Sequence, residues 1–180
     1  KKASFYGENF IVRENVLIPR PETELLVDNA IDILKEQKSK VKVLEIGTGS
    51  GIISVMLAKL IEDIEIIAVD INEDALTLAK ENAKKHNVEE KIDFRLSNLY
   101  ENVVENDIFM TISNPPYIAD DYKLPENVKY EPKNALFGGK IGDELLKKII
   151  GETYNKDILY LLCEMGYDQK EKITEYIKKY

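Results

Sequence analysis

Three glycines in alternation, Gly47, Gly49 and Gly51, stand between an apolar run at residues 41–46 and an apolar stretch at residues 51–60. The first run is short and nearly unbroken, as expected of a strand buried on both faces. The second is long enough for a helix. Glycine lets a backbone turn tightly and approach a ligand closely, and a helix start behind such a turn presents free N–H groups. A purely structural turn would be weakened by three alternate glycines. The segment Glu45-Ile46-Gly47-Thr48-Gly49-Ser50-Gly51 therefore predicts a strand-to-helix turn with Gly47, Thr48, Gly49, Ser50 and Gly51 at a ligand. A dinucleotide fingerprint would carry its third glycine one residue later, where this chain has Ile52.

The strand–helix rhythm extends along the chain. Residues 10–18 read as short extended segments of hairpin character, ending at Pro19-Arg20-Pro21. Pro21 suits the first position of a helix that runs to about residue 36, with Glu22 and Glu24 at the positive end of its dipole and Leu25, Leu26, Ala30, Ile33 and Leu34 as its buried stripe. Residues 64–69 predict a second strand, and Asn72 caps a helix reaching about residue 86. Residues 91–96, 108–113 and 158–163 predict three more strands. Residues 120–142 form a long polar connection, of a length that usually carries function. Asp143 is placed to cap a helix with Leu145, Leu146, Ile149 and Ile150 inward. Asp168 with Glu171 resembles a capping box ahead of Ile173, Tyr176, Ile177 and Tyr180. Five strands alternating with helices imply an α/β fold, with a mostly parallel sheet covered on both faces and ligands at the carboxyl ends of the strands.

Composition narrows the function classes. The 180 residues fit one domain, and 44% apolar content supplies a core. A formal net charge of −8 argues against a broad basic surface for nucleic acid. Cys163 is the sole cysteine, so no intrachain disulfide forms, which suits a reducing compartment. No apolar run approaches the roughly 20 residues that span a bilayer. Together these predict a cytoplasmic protein bound neither to membrane nor stably to nucleic acid. His86 reads as a residue of a helix end and Cys163 as core, and no Cys/His cluster suggests a metal.

Three further motifs fall at predicted strand ends. Asp70 closes the second strand, where a carboxylate accepts hydrogen bonds from both ribose hydroxyls of a nucleoside. Ser97-Asn98-Leu99 follows the third, with Leu99 placed for a base plane and the Asn98 amide for a base edge. Ser113-Asn114-Pro115-Pro116-Tyr117 follows the fourth. An amide nitrogen is a poor nucleophile because its lone pair is delocalised. Two acceptors aimed at its N–H bonds, the Asn114 side-chain carbonyl and the Pro115 backbone carbonyl, would hold it ready for a methyl group. The prolines fix φ and remove donors, and Tyr117 offers a flat face to a planar group.

With these motifs in place, the chain resembles the protein-(glutamine) methyltransferases that modify peptide chain release factors. The resemblance rests on Phe5-Tyr6-Gly7, Val16-Leu17-Ile18-Pro19-Arg20-Pro21-Glu22-Thr23-Glu24, residues 45–51 and residues 113–118. It extends through Tyr130-Glu131-Pro132, Ala135-Leu136, Gly138-Gly139 and Glu164-Met165-Gly166-Tyr167-Asp168-Gln169. The Pro-Arg-Pro-Glu-Thr-Glu segment discriminates best, since Asn-Pro-Pro-Tyr is shared with adenine-amino DNA methyltransferases.

The resemblance implies a Rossmann-like class I fold with S-adenosyl-L-methionine as cofactor, and methyl transfer to the glutamine amide of a Gly-Gly-Gln motif in a release factor. It puts cofactor contacts on Gly47, Thr48, Gly49, Ser50, Gly51, Asp70, Asn98, Leu99 and Asn114. Asn114, Pro115, Pro116 and Tyr117 would hold the glutamine, with Asn114, Pro115 and Tyr117 catalytic. Members usually carry Asp where this chain has Asn98. The expected organisation is an extended segment at residues 1–21 leading into a catalytic domain at 22–180, without the family's N-terminal helical recognition domain or its C-terminal strands. Glutamine methylation of a ribosomal protein, amino methylation of a nucleic-acid base, and a non-catalytic cofactor-binding fragment are the alternatives.

Overall fold

A computed structural model describes residues 1–124, 128 and 131–180; Tyr130, part of one resemblance segment, lies outside the described residues. The chain opens with an antiparallel hairpin of β1 (Lys2–Phe5) and β2 (Glu8–Ile11). The expected place for extended structure was residues 10–18, and the hairpin lies earlier. Its turn is made by Tyr6 and Gly7, both at positive φ (54° and 74°), as a two-residue hairpin turn requires. Phe5 and Phe10 point from it into the main core. The Asn82 side chain then ties the hairpin to the glycine turn. It accepts from Ile11 N (2.8 Å) and donates to Ile11 O (3.1 Å) and Ser50 O (2.9 Å).

Helix α1 (Thr23–Lys35) begins two residues after Pro21, with Glu22 at its N-cap. A turn intervenes, in which Thr23 N bonds Arg20 O and Glu24 N bonds Pro21 O. The buried stripe is Thr23, Leu26, Val27, Ala30, Ile31 and Leu34. It is rotated from the expected one, so Leu25 is 66% exposed. Thr23 takes an inward position, and the 3.6-residue period then selects 26–27, 30–31 and 34.

Strands β3 (Val41–Ile46), β4 (Ile64–Asp70), β5 (Ile92–Leu96), β6 (Met110–Ser113) and β9 (Tyr160–Cys163) form one sheet in the order β5-β4-β3-β6-β9. Every neighbouring pair is parallel. The period of two decides which side each residue serves. Val41, Val43, Ile64, Ile66, Met110 and Ile112 join one core with α1 and α2 (Ile52–Leu60). Leu44, Ile46, Ile67 and Val69 join a second core with Ile149 of α4 (Glu144–Asn155). Each fully buried aliphatic side chain contributes about 1.5–3 kcal/mol, so burial on both faces makes β3 and β4 the anchor of the fold.

Helix α3 (Glu73–Lys85) starts as expected, with Asn72 Oδ1 accepting from Asp74 N at 2.9 Å. Two other expected caps are not made. Asp143 sits before α4 without a side-chain cap bond, and its carboxylate pairs with Lys147 Nζ at 2.9 Å, one turn on. The helix α5 (Lys170–Ile177) has Gln169 at its N-cap rather than the Asp168–Glu171 box. The Gln169 amide instead ties loops together, accepting from Gly166 N (2.9 Å) and donating to Tyr117 O (3.0 Å). The long connection, expected to be irregular, holds β8 (Phe137–Gly139), which pairs in parallel with β7 (Ile118–Ala119) just before it. Strands of two and three residues leave no periodic imprint in sequence. Among the described residues no helix is long and apolar enough to cross a membrane.

From β3 the sheet grows to β4 and β5 on one side and to β6 and β9 on the other. Connections therefore diverge at the carboxyl ends of β3 and β6, and a crevice opens where they part.

Candidate active site

The crevice is a cavity of about 1010 Å³, counting its open mouth. Its walls include residues 15–20, 45–50, 70–72, 97–99 and 113–116, with Pro132, Asn134, Ala135 and Leu145 also lining it. Four motifs spread over some seventy positions of sequence thus reach one space, because parallel strands deliver all their carboxyl ends to one side of the sheet.

The glycine turn is anchored to its neighbour, with Gly47 N and Thr48 N both donating to Val69 O at 2.9 and 3.0 Å. Gly47 and Gly49 have φ of 71° and 55°, and a Cβ on either would meet nothing within 4 Å. They are needed for backbone shape and leave main chain bare at the cavity. Gly51 is different. It is absent from the cavity wall, and a Cβ there would come within 2.9 Å of Ala79 Cβ on α3. The absence of a side chain at Gly51 lets α2 start against α3.

Glu45 is a charged residue inside an apolar strand, and it is 1% exposed. One carboxylate oxygen, Oε2, accepts from Thr48 Oγ1 (2.8 Å), Ser54 N (3.2 Å) and Ser54 Oγ. The other, Oε1, is buried with no hydrogen-bond partner. Burial pushes the carboxyl up to about 7. An orphaned buried acceptor on a cavity wall is costly and calls for a donor from a ligand. Within the glycine motif no role is expected of Glu45 from sequence, although a carboxylate in the middle of a buried strand is the signal that marks it.

Asp70 lies at the end of β4 and holds the turn. Its Oδ2 accepts from Gly49 N and its Oδ1 from Asn72 N, both at 2.9 Å. Burial raises its carboxyl above the ordinary range against the opposing pull of those bonds. Leu99 borders the cavity at φ 51°, a left-handed conformation that costs a non-glycine residue about 1–2 kcal/mol. Ser97 Oγ supports it by donating to Leu99 O at 2.9 Å and accepting from Asn102 N at 3.0 Å. Asn98 is exposed at the rim, and its Nδ2 donates to Glu101 Oε1 at 2.8 Å.

Asn114, Pro115 and Pro116 line the cavity beside the glycine turn, whereas Tyr117 is not among the lining residues. The Asn114 amide nitrogen donates to Thr23 Oγ1 at 3.1 Å. The Tyr117 hydroxyl turns to Glu164, donating to Oε1 at 3.4 Å. Burial and the Glu164 carboxylate raise that hydroxyl above its ordinary value. Thr23 and Glu164 were not singled out individually from sequence, and no spacing rule connects them to Asn114. Arg20, from the Pro-Arg-Pro segment, lines the cavity and forms an ion pair with Glu131.

A family model described as the methyltransferase small domain matches residues 22–131. The chain belongs to this family. Among its curated relatives, it is 37% identical over 179 residues to the release factor glutamine methyltransferase of Aquifex aeolicus, covering 96% of this chain and 63% of that protein. It is 46% identical over 154 residues to the enzyme of the same name from Dictyoglomus turgidum, with 83% and 54% covered. The bifunctional methyltransferase of Rickettsia typhi is 35% identical over 198 residues, with 98% and 38% covered. The chain thus spans between about a third and two thirds of the length of these relatives.

Two solved structures bear on the fold. The human methyltransferase 10 domain containing protein superposes with a TM-score of 0.70 at 16% identity, covering 94% of this chain and 77% of that one. The ribosomal protein L11 methylase of Lactobacillus delbrueckii gives 0.64 at 19% identity, covering 91% and 70%. The fold is the Rossmann-like class I methyltransferase fold that the resemblance implies. Its cofactor is S-adenosyl-L-methionine, and the cavity suits that molecule on two counts. The cofactor's ammonium group is a donor of the kind Glu45 Oε1 lacks, and the bare backbone at Gly47 and Gly49 admits close approach.

Proposed function

We propose that this chain transfers a methyl group from S-adenosyl-L-methionine to the side-chain amide nitrogen of a glutamine, the acceptor being the Gly-Gly-Gln motif of a peptide chain release factor in the cytoplasm. The observation that carries the reading is the state of Asn114. Its amide nitrogen is already committed to Thr23, which leaves its carbonyl as the acceptor it can offer at the cavity, next to the carbonyl of Pro115.

In this reading Gly47, Thr48, Gly49 and Ser50 approach the cofactor through backbone, Asp70 takes the ribose hydroxyls, and Leu99 with Asn98 takes the adenine. When bound, the cofactor supplies an electrophilic methyl on sulfur. The chain's own residues then act by position and polarity. Asn114 and Pro115 accept the two N–H bonds of the glutamine amide, which holds its nitrogen in line with the methyl. Positive charge would grow on that nitrogen as it took the methyl group the cofactor would supply. The two fixed carbonyls stabilise it without reorganising. The nitrogen afterwards loses one proton to solvent. Pro115 and Pro116 keep the turn rigid, and Tyr117 flanks it. The names of the relatives support release factors as the substrate class, and residues 1–21 would lead, as an extended segment, into a catalytic domain at 22–180.

The test is transfer of label from S-adenosyl-L-methionine to a release factor, located by mass spectrometry. Asn114→Ala should lower kcat by about 100- to 1000-fold, the usual loss on removing a preorganised polar contact, while cofactor still binds. A folded Asn114→Ala protein that methylates near the parent rate, or label on no glutamine, would refute the reading.

A further inference from the structure

Thr23, Glu164 and the pair Asn114 and Tyr117 come from three separate stretches of the chain and meet at the carboxyl ends of β6 and β9. Ser113 and Cys163 are register partners on those strands. The residues that follow them, Asn114 and Glu164, therefore emerge side by side, and Glu164 N donates to Ser113 O at 3.1 Å. Thr23, the first residue of α1, sits between them at 1% exposure. Asn114 Nδ2 lies 3.1 Å from Thr23 Oγ1, and Thr23 Oγ1 lies 2.8 Å from Glu164 Oε2. The second oxygen of Glu164 receives the Tyr117 hydroxyl at 3.4 Å.

The protons in this chain of contacts run one way. As a carboxylate, Glu164 only accepts. The Thr23 hydroxyl has a single proton, so it donates to Glu164 and has only lone pairs left for Asn114. Those lone pairs can be met by the NH2 end of the Asn114 amide and not by its carbonyl. An Asn side chain is nearly isosteric under a half-turn of its amide, so sequence and shape alone leave its two ends interchangeable. Here the half-turn would set oxygen against oxygen with no proton between them, in a buried place where an unmet polar group is costly.

We propose that Thr23 and Glu164 are positioning residues. Glu164, acting through the Thr23 hydroxyl, fixes which end of the Asn114 amide faces the methyl acceptor, and the same carboxylate fixes Tyr117. This rests on the reading of Asn114 as the acceptor for a substrate N–H. With the relay intact, Asn114 presents a carbonyl to the glutamine N–H. With it broken, the amide turns freely, and in half of its orientations a donor meets a donor. The loss then falls on the rate of transfer rather than on cofactor binding, because neither Thr23 nor Glu164 supplies the glycine turn or Asp70.

The experiment has a structural and a kinetic arm. In the first, the side-chain amide signals of Asn114 are assigned by their disappearance in Asn114→Asp and followed by nitrogen-15 magnetic resonance. The parent should show one slowly exchanging amide proton, retained in Thr23→Ser and lost in Thr23→Val. In the second, with release factor as acceptor, Thr23→Val should lower kcat at least about tenfold while KM and the cofactor Kd stay within about threefold. Thr23→Ser should stay within about threefold of the parent, and Thr23→Val combined with Glu164→Gln should be no worse than Thr23→Val alone, as for members of one chain. The proposal is overturned if Thr23→Val leaves the amide exchange unchanged, if it raises KM with kcat intact, or if Thr23→Ser is as damaged as Thr23→Val. A parent that orders its amide as expected yet methylates no glutamine overturns the glutamine reading and, with it, the catalytic role of the relay.

Discussion

Replacing Gly51 by alanine separates two roles that sequence cannot distinguish for a glycine in this turn. Gly51 has φ 81°, and a Cβ there would lie 2.9 Å from Ala79 Cβ and 3.0 Å from Ala79 Cα. A left-handed conformation costs alanine about 1–2 kcal/mol. Overlap with a helix that cannot yield adds about 1–3 kcal/mol. Gly51→Ala should therefore lose roughly 2–5 kcal/mol, or on the order of 10 °C in Tm for a chain of this size. Gly47→Ala is the control, because φ is 71° and nothing lies within 4 Å of the added carbon. It should lose only the strain, about 1–2 kcal/mol. Urea unfolding of the apo proteins measures both, and calorimetry with S-adenosyl-L-methionine supplies the contrast. Gly47→Ala should weaken binding more than Gly51→Ala does. Ala79→Gly placed behind Gly51→Ala should restore part of the loss by removing the atom that is struck. If Gly51→Ala is no less stable than Gly47→Ala, the packing argument fails and the third glycine belongs to the ligand turn after all.

Three other outcomes follow from the site. Because burial holds the Glu45 carboxyl up to about 7, above its ordinary value, its protonated form is favoured in the folded apo protein. Stability should thus fall as pH rises from the ordinary carboxylate range through 7, by on the order of 3 kcal/mol relative to Glu45→Gln. Parallel urea-stability curves for the two proteins from pH 5 to 8 would refute that. Asp70→Ala should weaken S-adenosyl-L-methionine binding by roughly 1.5–3 kcal/mol, the worth of hydrogen bonds to a charged acceptor, and unchanged affinity by calorimetry would remove Asp70 from the cofactor's contacts. S-adenosyl-L-methionine at about 100 times its Kd should stabilise the fold by about 2.7 kcal/mol in a thermal melt, whereas NAD should not, since Ile52 stands where a dinucleotide turn has glycine.

Local chemistry was enough to determine the sheet's strands, the glycine turn and the cap at Asn72. Each is written within a few residues: apolar runs at 41–46 and 64–69, alternate glycines, and an Asn just before two acidic residues. The same locality placed Asp70 and Asn114 at strand ends, and parallel strands bring such ends together whatever their order. Tertiary structure decided what depends on residues far apart. The order β5-β4-β3-β6-β9 is set by which edges pair, and packing turned the stripe of α1 so that Thr23 is buried and Leu25 exposed. Gly51 has no room for a side chain because of Ala79, 28 positions on. Thr23 and Glu164 lie 141 positions apart, yet they share a hydrogen bond. Contacts of this kind leave no period in the sequence, because each requires the fold to exist before its partners are neighbours.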